Sequence, residues 1–132
     1  MHPPQAKLQS STPMRILVLD DDPMVGKSLG RILKMHHVVV TSHVDHALEI
    51  LGETDFHLIF CDLMMPNRNG MDFFDEVQTR HPTCTDNIVF MTGGAFTTKA
   101  ESFMRGIRNP CLAKPFEIEH VREFVRTFQV GA

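Results

Sequence analysis

Five short apolar runs punctuate the chain: Ile16–Leu19, Val38–Thr41, Leu58–Cys61, Ile88–Met91 and Cys111–Ala113. Each has the length and the β-branched or bulky content of a strand, and the first, third and fourth lack the polar alternation of a half-exposed one. Between them, apolar residues recur at helical spacing. Val25, Leu29, Ile32 and Leu33 predict a helix from Pro23 to about Lys34, with Asp22 as N-cap and Pro23 in its first turn. Ala47, Leu48 and Leu51 predict a short helix from Asp45, closed by Gly52. Met71, Phe74 and Val77 mark one from about Gly70 to Thr79, and a weaker helix spans Thr97–Met104. Ile118, Val121, Val125 and Phe128 line the inner face of a closing helix, Ile118–Phe128. Strand and helix alternate throughout, and parallel strands need such crossovers. The chain is therefore expected to fold as an α/β domain with a parallel sheet covered on both faces.

The polar residues that end these strands carry the chemistry. Asp20 and Asp21 follow the first strand, Asp62 the third, Thr92 the fourth and Lys114 the fifth. A parallel sheet brings its carboxyl ends to one edge, where ligands gather. Three carboxylates there repel one another and call for a hard cation, Mg2+ or Mn2+. Asp62 is also a plausible nucleophile for phosphoryl transfer. The cation and the Lys114 ammonium would neutralise the transferring oxygens, and Thr92 would donate a hydrogen bond to one of them.

Composition narrows the choice further. The 132 residues are 42% hydrophobic and 22% charged, enough for one core, with a formal net charge of -3. No basic run marks a nucleic-acid surface. Cys61, Cys84 and Cys111 have neither a metal nor a disulfide spacing, which suits reduced thiols in a cytoplasmic setting. No apolar stretch is long enough to insert into a membrane, and no signal-peptide core opens the chain. Residues 1–13, polar and interrupted by proline, are expected to be a tail or linker, with the folded domain at 14–130.

The stretches ILVLDDDP, LIFCDLMMP, IVFMTGG and CLAKPF resemble the receiver domain of two-component response regulators, from about Met14 to Phe128. The resemblance implies a flavodoxin-like (βα)5 fold with strand order 2-1-3-4-5. It implies that Asp62 accepts a phosphoryl group from a histidine kinase or a histidine phosphotransfer protein. By the same likeness, Asp20 and Asp21 are the acidic metal pair, the Met64 carbonyl completes the metal site, and Thr92 and Lys114 contact the phosphoryl group. It also implies a cis Lys114–Pro115 bond and leaves open a weak homodimer. The segment from Thr92 to Phe96 and Asn109-Pro110 are similar to receivers attached to hybrid sensor kinases. One position departs: receivers usually carry Tyr or Phe three residues before the lysine, and here it is Cys111.

Two other functions compete. Haloacid-dehalogenase-like phosphatases also use a strand-end Asp with Mg2+, and Asp20 with Asp22 would supply their Asp-x-Asp. Yet Met24 replaces the usual Thr or Val, and 132 residues leave no room for a cap domain. A pseudo-receiver serving only as a docking module would not need the full set of acids, Thr92 and Lys114. Among the remaining residues, His36, His37, His43 and His46 lack a completing ligand and are expected at exposed polar positions. Cys61 is expected to point into the core. Phe73 and Phe74 are adjacent on one helix, so one of them is expected to be partly exposed.

Overall fold

The computed structural model describes residues 12–66, 68–94 and 97–130. Its elements alternate as the periodicity predicts: β1 Arg15–Leu19, α1 Pro23–Ile32, β2 His37–Thr41, α2 Val44–Glu53, β3 Leu58–Asp62, α3 Gly70–Arg80, β4 Ile88–Thr92, α4 Thr98–Arg105, β5 Cys111–Ala113 and α5 Ile118–Val130. The strands form one parallel sheet in the order β2-β1-β3-β4-β5, the flavodoxin-like arrangement. No described helix is long and apolar enough to cross a membrane.

Alternation along the strands splits the core in two. Leu17, Leu19, Ile59, Cys61 and Phe90 face α2, α3 and α4. Ile16, Val18, Leu58, Phe60, Val89 and Met91 face α1 and α5. All five residues of β3 are buried because the strand is central and covered twice. β2 is an edge strand, and Val39 and Val40 are accordingly 38% and 47% exposed. Asp22 caps α1, its Oδ1 accepting from the Met24 N–H at 2.9 Å. At the start of α3, Asn69 accepts from the N–H groups of Met71 and Asp72, and Asp72 accepts in return from the Asn69 N–H, closing a capping box.

Several expectations need correction. α1 ends at Ile32 rather than Lys34. Gly52 does not close α2, which runs through it to Glu53 and is followed by the extended Thr54. Phe73 and Phe74 are both buried. α3 has helical neighbours on two sides: it packs beside α2, and Phe74 meets Phe103 of α4 edge-on at 5.3 Å. Its buried arc is therefore wide enough to hold adjacent positions. His36 is only half-exposed and accepts a hydrogen bond from the Met14 N–H, whereas His37, His43 and His46 are exposed as expected. A short 3-10 helix, Pro82–Asn87, lies between α3 and β4. Asn109 holds it, donating to the carbonyls of Thr85 and Ile88 at 2.8 and 2.9 Å.

The expected tail lies outside the described residues as far as residue 11. Thr12 already touches the fold, its carbonyl accepting from the buried Gln129 side chain at 2.8 Å. Ala95 and Phe96, part of the segment that resembles hybrid-kinase receivers, also lie outside the described residues.

Candidate functional site

The carboxyl edge of the sheet gathers the strand-end residues because the register is level there. Leu19 pairs with Cys61, Asp62 with Met91 and Thr92 with Ala113. Asp20 and Asp62 therefore emerge side by side, and Lys114 follows β5 at the same edge, beyond β4. One carboxylate oxygen from each of Asp20, Asp21 and Asp62 lies within 4.8 Å of the others. Asp20 and Asp62 are buried and Asp21 is exposed.

Lys114 enters this cluster from β5. Its Nζ lies 2.8 Å from Asp20 Oδ2 and 3.6 Å from Asp62 Oδ1. Its stem passes Gly93, where an added Cβ would sit 3.5 Å from Lys114 Cδ. The Lys114–Pro115 peptide is cis. Asp20 is fixed twice more: its N–H donates to the Thr41 carbonyl at 3.1 Å, and its Oδ1 accepts from the Asp22 N–H at 2.8 Å. Asp62 Oδ1 accepts from the Met64 N–H at 3.3 Å, and the Met64 residue itself is exposed. Thr92 closes β4, and its carbonyl accepts from the Lys114 N–H at 2.7 Å.

These surroundings set the charges. Burial, then the Asp20 charge and more weakly that of Asp21, push the Asp62 carboxyl up to about 6; the Lys114 ammonium and the Met64 N–H oppose the rise. Burial works against the Lys114 charge. The hydrogen bond to Asp20 and the Asp62 carboxylate outweigh it, so the ammonium is held above its ordinary range. Burial, with Asp62 and Asp20 behind it, drives the Cys61 thiol well up, which makes it an inert core residue. Three acidic oxygens this close can hold a metal ion, and an all-oxygen donor set is the kind a hard divalent cation prefers.

The sequence did not reveal what braces this edge. Gly70, the first residue of α3, sits so close that a Cβ there would lie 2.7 Å from the Asp62 carbonyl and 2.9 Å from Leu63 Cα. Arg68 ties the loop after Asp62 to Asp45 of α2 and Glu76 of α3. The N-cap pattern Asn69-x-x-Asp72 was the one legible signal of that packing. Asp22, which an Asp-x-Asp enzyme would need beside Asp20, is instead occupied in capping α1. At Cys111 no ring is available. A cluster of three phenylalanines stands nearby, with Phe103 of α4 meeting Phe90 and Phe74 at 5.5 and 5.3 Å. Cys111 is paired in register with that same Phe90.

A family model described as the response regulator receiver domain matches residues 16–126. The probable transcriptional regulator ycf29 of Cyanophora paradoxa is 30% identical over 113 residues, covering 82% of this chain and 52% of its own length. The transcriptional regulatory protein MalR of Bacillus subtilis (strain 168) is 31% identical over 110 residues, 80% of this chain and 46% of its own. The chain thus spans about half the length of the curated relatives it matches. Among solved structures, the signal receiver domain of a histidine kinase from Syntrophus aciditrophicus superimposes with a TM-score of 0.79 at 18% identity, covering 90% of this chain and 92% of that one. At that identity the likeness speaks for the fold. With the family match over most of its length and an acidic cluster at the sheet edge, this chain belongs to the response regulator receiver domain family, phospho-acceptors of two-component signalling rather than enzymes of the ordinary kind.

Proposed function

We propose that Asp62 is the phosphoryl acceptor and that the donor is a phosphohistidine on a histidine kinase or a histidine phosphotransfer protein. The observation that carries this reading is the buried carboxylate pair Asp20/Asp62 with Asp21 beside it and Lys114 between them. An Asp62 oxygen attacks phosphorus, the P–N bond to the donor imidazole breaks as the new P–O bond forms, and the imidazole leaves with a proton from water. Asp20, Asp21, Asp62 and the Met64 carbonyl would hold Mg2+, which when bound neutralises charge on the transferring oxygens. The Lys114 ammonium does the same from the β5 side, and the Thr92 hydroxyl donates to one phosphoryl oxygen. The resulting acyl phosphate then draws on Thr92 and on the loop that opens at Gly93-Gly94, so the change is passed to α4.

The test is labelling by acetyl phosphate, read by intact mass. The parent should gain about 80 Da, the mass of one phosphoryl group, and only with a divalent cation present. Asp62→Asn should show no gain. Labelling that persists in this variant, or that ignores removal of the cation, would overturn the assignment. Turnover of a generic phosphatase substrate would instead favour an enzyme.

A further inference from the structure

At the opposite edge of the sheet, two histidines hold the first strand where the chain enters it. The His36 Nδ1 accepts from the Met14 N–H at 2.9 Å, and the His57 Nδ1 accepts from the Arg15 N–H at 3.0 Å. The two rings come from different loops, the one before β2 and the one before β3, and grip consecutive backbone amides. The same two residues are bound a second time through the backbone: the His37 N–H, at the start of β2, donates to the Met14 carbonyl at 2.8 Å and the His57 N–H to the Arg15 carbonyl at 2.9 Å. We propose that His36 and His57 form a proton-released clasp on the entry of β1, closed while both imidazoles are neutral and opened by acid.

An imidazole can accept at Nδ1 only while that nitrogen is bare, with its proton on Nε2. Protonation puts an N–H on Nδ1, pointing at a backbone N–H that cannot accept it. The bond is then replaced by a donor facing a donor, and the amide of Met14 or Arg15 loses its partner. The charged groups around the clasp oppose protonation on balance. His37 stands beside His36. Around His57 stand Arg15, which disfavours a second positive charge, and Asp55, which favours one; the Arg15 Nε also donates to the Asp55 carbonyl at 2.5 Å. Burial first, and then these neighbours, lower both imidazoles below their ordinary value. The sign follows: above pH about 6.5 the clasp's contribution is fully present. It is lost as the pH falls through the lowered folded values, because the opened state then binds more protons. β1 runs from this clasp to Asp20, so what acid loosens is the root of the strand that carries the acidic pair.

Amide hydrogen exchange, expressed as protection relative to the intrinsic rate at each pH, tests the clasp site by site. Between pH 7.5 and 5.0, protection at Met14 and Arg15 should fall by about tenfold or more, while Leu17, in mid-strand, changes less. The double variant His36→Asn/His57→Asn keeps an oxygen acceptor near each Nδ1 but cannot titrate, and its protection at Met14 and Arg15 should be flat over that range. If the variant does not fold, ring titration by NMR in the parent decides: both imidazoles should titrate below 6.5, with Nδ1 bare in the neutral form. Identical pH profiles for parent and variant, or ordinary titration of both rings, would overturn the proposal. None of these readouts depends on phosphorylation, so the clasp can fail while the assignment of Asp62 stands, and the reverse.

Discussion

The two ends of the same parallel sheet solve the problem of polar groups at a sheet edge in opposite ways. At the amino end, the imidazoles of His36 and His57 meet the backbone amides of Met14 and Arg15 one to one. At the carboxyl end, three carboxylates face one ammonium. The first arrangement is complete in itself. The second gathers more negative than positive charge, and burial, with the Asp20 charge behind it, makes Asp62 hold its proton up to about 6. A surplus of one kind of charge, built at the end of a fully buried strand, is what distinguishes a site awaiting a ligand from an edge that is merely well made.

The largest effect should come from Gly70. A methyl group there meets backbone atoms of Asp62 and Leu63 that cannot swing aside. Gly70→Ala should cost about 2–3 kcal/mol in urea unfolding, and Mg2+ affinity should weaken with it. Gly30→Ala is the control: nothing lies within 4 Å of the added carbon, and a helix interior gains up to about 1 kcal/mol from alanine. Equal effects at the two positions would show that close packing behind Asp62 does not hold the acidic edge.

A smaller effect, of opposite sign, should follow from relieving the charge surplus. Without divalent cations at pH 7.5, Asp62→Asn should raise stability by about 1–2 kcal/mol. Asp62 has a folded value above its unfolded one, so its ionisation disfavours the fold. That penalty is complete above pH about 6 and fades as the pH falls toward the ordinary carboxylate range. The gain should therefore shrink in acid, whereas the histidine clasp weakens in acid. Added Mg2+ should stabilise the parent more than the variant. A gain independent of pH would mean that the carboxylates at this edge do not repel one another.

The smallest expected effect concerns how long the acyl phosphate lasts. Met64 stands exposed beside Asp62 and cannot orient a water, and Gly94 has no side chain to do so. Met64→Asn should speed loss of the phosphoryl group several-fold, or on the order of 1 kcal/mol in the barrier, measured as decay of the labelled protein in Mg2+. Gly94 is the poorer place to try, because its φ of 154° would strain any replacement. Unchanged decay at position 64 would show that attacking water is not positioned from there.

Much of this was legible beforehand for a physical reason. Runs such as Leu58–Cys61 and Ile88–Met91 are buried from both sides, so they read as continuous apolar strands, and the acids and the lysine follow at their ends. Contacts between residues far apart in the chain left no such trace. His57 and Arg15 are 42 positions apart, and no periodicity announces that one ring will receive the other's amide. The Phe73-Phe74 pair was misjudged because one helix was considered without its neighbours on both sides. Gly52 was misjudged because a glycine can stop a helix or merely weaken it, and the apolar stripe around it was too short to decide.

The ring cluster of Phe74, Phe90 and Phe103 has one practical result. The chain has neither tryptophan nor tyrosine, so it is almost transparent at 280 nm and its own emission is faint. Phe103 is half-buried on α4 and lies in ring contact with β4, two residues before Thr92. An indole introduced there would emit against a dark background. Its colour would follow the wetness of that single spot, so the movement of one helix could be watched by eye of a fluorimeter in a protein with no other lamp.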